Sequence, residues 1–182
     1  MNYRVRMIVM LLVVSAFSGG SLSYMYENLK EKIAENLRKE IEESVSNLIV
    51  FDNYQEKKWK ENKVFVCYKE GKVSGYAIIG KGEGFQGKIT LLLAMDGKGE
   101  RILGIDILES QETPGLGAKI DEDWFKSQFS GKGKFPLKLV KLKKPEEEEI
   151  EAITGATISS RAVVNLVNSL VEELKEFIEQ NG

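Results

Sequence analysis

Two short segments of this chain hold residue types that can do chemistry. Thr154-Gly155-Ala156-Thr157 sets hydroxyls beside two residues with almost no side chain, just ahead of a long apolar-periodic run. A helix start of this kind offers unpaired amides and a positive dipole end, and Gly155 and Ala156 let a phosphate approach the backbone closely. On physics alone the leading reading of the same residues is an ordinary helix cap, which Thr performs routinely. The second segment is Glu112-Thr113-Pro114-Gly115-Leu116-Gly117. Pro114-Gly115 favours a type II turn with Gly115 at positive φ. Read as a site, this loop presents backbone amides, the Glu112 carboxylate and the Thr113 hydroxyl to a polar ligand edge, with the Lys119 charge just beyond. Read structurally, it is only a turn.

Composition narrows what such a site can do. The chain has 182 residues, one Cys (Cys67) and no His. A lone Cys forms no intramolecular disulfide and cannot hold an iron–sulfur cluster. Without His the usual haem ligand, the commonest zinc ligand and the commonest general base are missing, so no metal site and no catalytic residue is expected. Redox work, if done here, falls to an organic cofactor. A net charge of -2 argues against nucleic acid as a main partner.

The elements around the two segments follow from periodicity. Lys63–Lys69 and Lys72–Ile79 read as strands joined at Glu70-Gly71. Gly80–Gly87 is a glycine-rich hairpin loop, flanked by strands and so unlike a dinucleotide fingerprint. Ile89–Met95 and Ile102–Leu108 are further strands around the Asp96–Gly99 turn. Asp121 is placed as the cap of a short helix through about Phe129. Phe135–Leu142 alternates as a last strand, and the charged stretch from Lys143 through Glu149 reads as a solvated linker. From Ser159 to about Gln180, Val163, Leu166, Val167, Leu170, Leu174, Phe177 and Ile178 share one helix face. The expectation is an α+β domain with a mainly antiparallel sheet and packed helices.

Ahead of that domain, Met7 to Tyr26 carries no charge. As a helix it would span about 30 Å, the thickness of a bilayer core. Arg4 and Arg6 precede the run, so the positive-inside rule keeps residues 1–6 in the cytoplasm and places the main domain outside the inner (plasma) membrane. A cleaved signal peptide is the competing reading, with Ile8–Phe17 as its apolar region. Leu29, Ile33, Leu37, Ile41, Val45 and Leu48 then make residues 27–50 an amphipathic connecting helix. The resulting division is 1–6, 7–26, 27–50 and a domain over 51–182.

Ile153–Asn168 (ITGATISSRAVVNLVN) resembles the flavinylation motif of the FMN-binding domain family, and Gly82–Gly117 resembles that family's central segment. Together with the N-terminal span, the likeness covers most of the chain. It is nearest to the G subunits of Rnf ion-translocating ferredoxin:NAD oxidoreductases, which are related to the C subunits of sodium-pumping NADH:quinone reductases. The resemblance implies FMN joined through its phosphate to the Thr157 hydroxyl, installed from FAD by a separate flavin transferase. Thr154, Gly155 and Ala156 match the preceding motif positions. Glu112, Thr113, Leu116 and Gly117 match the loop expected beside the isoalloxazine, and proximity within the family-like segment puts Gly84 and Phe85 in the expected lining of the flavin site. Two positions depart from the pattern: Glu151 stands where the family usually has Asp, and Ser110-Gln111 stands where it often has His. The implied partners are a second flavinylated membrane subunit and iron–sulfur and NADH/FMN subunits of the Rnf complex. The chain alone is then expected to carry electrons without turning over NADH. A stand-alone membrane-anchored flavoprotein, acting as a shuttle or reductase, and a tethered binding module with an ordinary cap at Thr157 remain the alternatives.

Overall fold

The computed structural model describes residues 2–181. The chain divides into two compact units, Met1–Glu42 and Glu43–Gly182. One α-helix, α1 (Tyr3–Leu48), begins in the first and ends in the second. The two helices expected over 7–26 and 27–50 are therefore continuous. In the first unit every described residue through Glu40 is exposed. Its apolar stretch is long and apolar enough to cross a membrane. The amphipathic stripe splits likewise: Leu29, Ile33 and Leu37 are exposed, whereas Val45, in the second unit, is buried.

The second unit is built on five antiparallel strands in sequential order: β1 (Asn53–Trp59), β2 (Asn62–Lys69), β3 (Lys72–Glu83), β4 (Lys88–Asp96) and β5 (Ile102–Ser110). β4 is buried along nearly its whole length, as its unbroken apolar run requires. The long C-terminal helix, α3 (Thr157–Asn181), lies across one face of the sheet. Val64, Val66, Tyr76, Ile78, Leu91, Leu93 and Met95 join Val163, Val167, Leu170 and Leu174 in one core. Each such side chain, fully buried, contributes about 1.5–3 kcal/mol. Between β5 and α3 the chain makes a 3-10 turn (Gly117–Asp121), the short helix α2 (Asp123–Lys126) and a second 3-10 turn (Ser127–Phe129). Phe125 and Phe129 plug the core from there.

Several sequence expectations are corrected. The glycine-rich loop is mostly strand: β3 continues through Glu83, and only residues 84–87 turn. Its glycines serve close packing, because a Cβ at Gly80 would overlap Leu170 of α3 and one at Gly82 would lie 3.2 Å from Leu166. β1 was not expected, since Glu56-Lys57-Lys58 lacks an apolar pattern; an edge strand with few buried positions needs none. Asp121 caps no helix. It closes the first 3-10 turn and pairs with Lys126 at 2.9 Å, and Asp106 holds the same ammonium at 3.0 Å. Burial pulls the Lys126 pKa down, but these two carboxylates outweigh it and raise the net value. The last strand shrinks to β6 (Lys138–Val140), outside the main sheet. It pairs in parallel with β7 (Glu149–Glu151), so the charge run ends as a strand instead of a free linker. α3 starts two residues earlier than its apolar periodicity indicated.

Candidate functional site

The turn ahead of α3 forms because Gly155 can take φ of +85°, the value a type II turn needs at its third residue. The Ala156 N–H closes it on the Ile153 carbonyl at 3.0 Å. Ser160 then staples the turn to the helix. Its hydroxyl accepts the Ile153 N–H at 3.0 Å and donates to the Ala156 carbonyl at 2.9 Å. The first intrahelical bond runs from the Ser160 N–H to the Ala156 carbonyl, so Ala156 occupies the cap position and Thr157 the first helical one. Thr157 is thus not the N-cap. Among the described residues, its hydroxyl and the N–H groups of Thr157, Ile158 and Ser159 have no hydrogen-bond partner.

The Pro114-Gly115 turn forms as expected. Gly115 has φ of +77°, and the Thr113 carbonyl accepts the N–H groups of Leu116 at 3.2 Å and Ala118 at 3.1 Å. This brings the loop against the start of α3. A cavity of about 290 Å³ lies between them, lined by Phe85, Glu112, Thr113, Leu116, Gly117 and residues 155–159. Most of the sequence-selected residues meet here: Glu112, Thr113, Leu116, Gly117, Gly155, Ala156 and Thr157. Three do not line it. Thr154 is exposed on the turn, Lys119 lies in the following 3-10 turn, and Glu151 lies in β7, where its N–H binds the Gln128 side chain at 2.7 Å.

Glu112 is buried, and both carboxylate oxygens are engaged inward. Oε1 accepts the N–H groups of Phe85 at 2.6 Å and Gln86 at 3.1 Å, and Oε2 accepts the Ser159 hydroxyl at 2.6 Å. A side chain at Gly84 or Gly117 would overlap this carboxylate. Sequence reading missed Ser159 and Ser160. The available signal was a pair of hydroxyls inside an apolar helix start, buried polar groups that need partners. Cys67 offers no rival chemistry, because burial pushes its thiol up to about 11.

These residues fit a phosphate-bearing flavin. Three free amides at a helix start and a free hydroxyl suit a phosphate. The exposed side chains of Phe85, Leu116 and Ile158 offer apolar surface to a flat ring. The cavity lies at the small end of ligand pockets, roughly 300–1,000 Å³, so a bound flavin would remain partly open to solvent.

The site lies within a stretch that the chain shares with known proteins. The FMN-binding domain family model matches residues 84–172, a stretch that contains every lining residue of the cavity. The chain is 30% identical over 167 residues to the G subunit of the proton-translocating ferredoxin:NAD(+) oxidoreductase complex of Clostridium ljungdahlii, covering 91% of this chain and 89% of that one. It is 32% identical over 177 residues to the G subunit of the ion-translocating oxidoreductase complex of Methanosarcina acetivorans, covering 92% of each. In structure it resembles NqrC of Shewanella oneidensis, with a TM-score of 0.59 at 24% identity over 73% of this chain and 71% of that one; this likeness concerns the fold. Sequence similarity along nearly the full length, together with the matched FMN-binding segment, shows that the chain belongs to the family of G subunits of ion-translocating oxidoreductase complexes.

Proposed function

We propose that this protein carries electrons through FMN as the G subunit of a membrane-bound ion-translocating ferredoxin:NAD oxidoreductase complex. The observation that supports this most directly is the free Thr157 hydroxyl at the mouth of the cavity between the Glu112–Gly117 loop and α3. FMN is held there by its phosphate on Thr157. Attachment forms a P–O bond to Thr157 Oγ1 and breaks the P–O–P bond of FAD. AMP leaves, the hydroxyl proton goes to solvent, and no electrons change hands. A flavin transferase that uses a divalent metal performs this step. The amides of residues 157–159 receive the phosphate charge. Thr154, Gly155 and Ala156 shape the approach, Thr113, Leu116 and Gly117 border the ring, Lys119 supplies a positive charge beyond the loop, and Glu151 serves recognition by the transferase. Bound flavin exchanges one or two electrons and so links carriers of different type.

The matching division of the chain is 1–6 in the cytoplasm, 7–26 across the inner membrane, 27–50 as connecting helix and 51–182 as an extracytoplasmic FMN domain. Its partners are a second flavinylated membrane subunit and the iron–sulfur and NADH/FMN subunits.

Mass measurement tests the attachment. Coexpressed with its transferase, the chain gains one FMN, as does Thr154→Ala, whereas Thr157→Ala gains none. An unchanged wild-type mass overturns the reading. Pull-down in mild detergent tests the assembly, and recovery of this chain alone counts against a complex.

A further inference from the structure

The Glu112 carboxylate closes three elements on one another, and among the described residues it has no cationic partner. The turn carrying Phe85 hangs from Oε1, and the first turn of α3 hangs from Oε2. Glycines stand where any side chain would displace it, at Gly84 and Gly117. The group is therefore a buried negative charge satisfied only by neutral dipoles, and it sits in the wall of the cavity. Charges in such sites are weakly screened and act strongly on their neighbours.

We infer that Glu112 is a positioning residue and fixed negative charge of the flavin site: it sets the spacing between Phe85 and the start of α3, and it lowers the reduction potential of whatever flavin the cavity holds. Adding electrons beside a fixed anion is disfavoured, so the oxidised flavin gains relative to the reduced one. The Ser159 hydroxyl and the two amides temper that charge by donating to it. This rests on the reading that the cavity holds FMN.

The signs of two variants separate the electrostatic role from a merely structural one. Glu112→Gln keeps the shape and removes the charge, so the flavin potential rises. Ser159→Ala keeps the charge and removes a donor, so the potential falls or stays. General loosening of the site would move both in the same direction. The measurement is a potentiometric titration of the flavin-loaded full-length chain in detergent, with loading checked by mass. A Glu112→Gln protein that titrates at the wild-type potential, or a rise in Ser159→Ala, overturns the inference.

The positioning role is read without flavin. In Glu112→Ala, hydrogen exchange at the Phe85 and Gln86 amides accelerates about tenfold or more, as expected when a charge-assisted bond is lost, while Leu93 in β4 accelerates only as far as the global stability read by urea unfolding falls. Unchanged protection at Phe85 and Gln86 overturns the clamp. Wild type that takes no flavin under transferase coexpression would sink the proposed function and leave the exchange result to judge the clamp.

Discussion

The two ends of α3 are built in opposite ways. At its start, the Ser159 and Ser160 hydroxyls are buried and hydrogen-bonded, Glu112 is locked between three elements, and the cavity they frame is small, about 290 Å³. At its far end lies a larger cleft of about 550 Å³, bordered among others by Lys98, Arg101, Lys134, Glu147, Lys175 and Ile178. Polar contacts there are exposed: the Lys134–Glu147 pair has side chains 65% and 73% accessible, and the Lys60–Glu176 pair 51% and 45%. Size therefore does not mark the site. Buried hydrogen bonds fix positions because breaking one strands a polar group, whereas exposed ion pairs are screened and hold little geometry.

Removing Glu112 should break this contrast most visibly. Glu112→Ala leaves two amides and a hydroxyl without their acceptor beside a new void, and should destabilise the folded domain by about 2–4 kcal/mol in urea unfolding. Ser160→Ala removes two bonds from the turn before α3 and should cost about 1–2 kcal/mol, with early fraying of residues 153–157 seen by hydrogen exchange. If either matched a far-end variant in effect, the distinction drawn between the ends would fail.

The charged end should respond weakly. Lys134→Ala is expected to leave the thermal midpoint within error of wild type, because both partners are in water. Its trace should be a small contribution at neutral pH that vanishes in acid, read as the slope of stability against pH. The hydrogen bond from Lys134, and then its charge, hold the Glu147 carboxyl below its ordinary 4.5; the hydrogen bond from Lys143 comes first for Glu149. With folded values lowered, this contribution is present above the ordinary carboxylate value and lost as pH falls through the depressed one. Lys134→Ala should flatten that acid limb slightly, and 0.5 M salt should flatten it in wild type as well. A midpoint that drops at neutral pH would sink this assignment.

The same contrast explains what could be read ahead of the fold. Pro114-Gly115 announced its turn, because positive φ leaves a mark on residue choice, whereas Gly155 was read only for its small size. The apolar face of α3 and the run of β4 announced a buried helix and strand. Other features stayed hidden because their reasons lie far away in sequence. The glycines of β3 read as a loop until Leu166 and Leu170 are laid across them. β6 and β7 are too short to show a period, and exist because a distant partner supplies the ladder. Ser159 gave no sign of its bond to a carboxylate in another segment.

By itself, then, the sequence determined the chemical menu: no His, one Cys, a Pro-Gly turn motif, a hydroxyl beside a helix start and an apolar N-terminal run. These are local properties, set by residue type and spacing. Tertiary structure decided which hydroxyl is free and which carboxylate is spent. Thr157 became an unbonded group at a cavity mouth because Ala156 took the cap and Ser160 closed the turn. Glu112 turned from the expected ligand face into the wall, because only the folded chain brings two amides and Ser159 within reach of its charge.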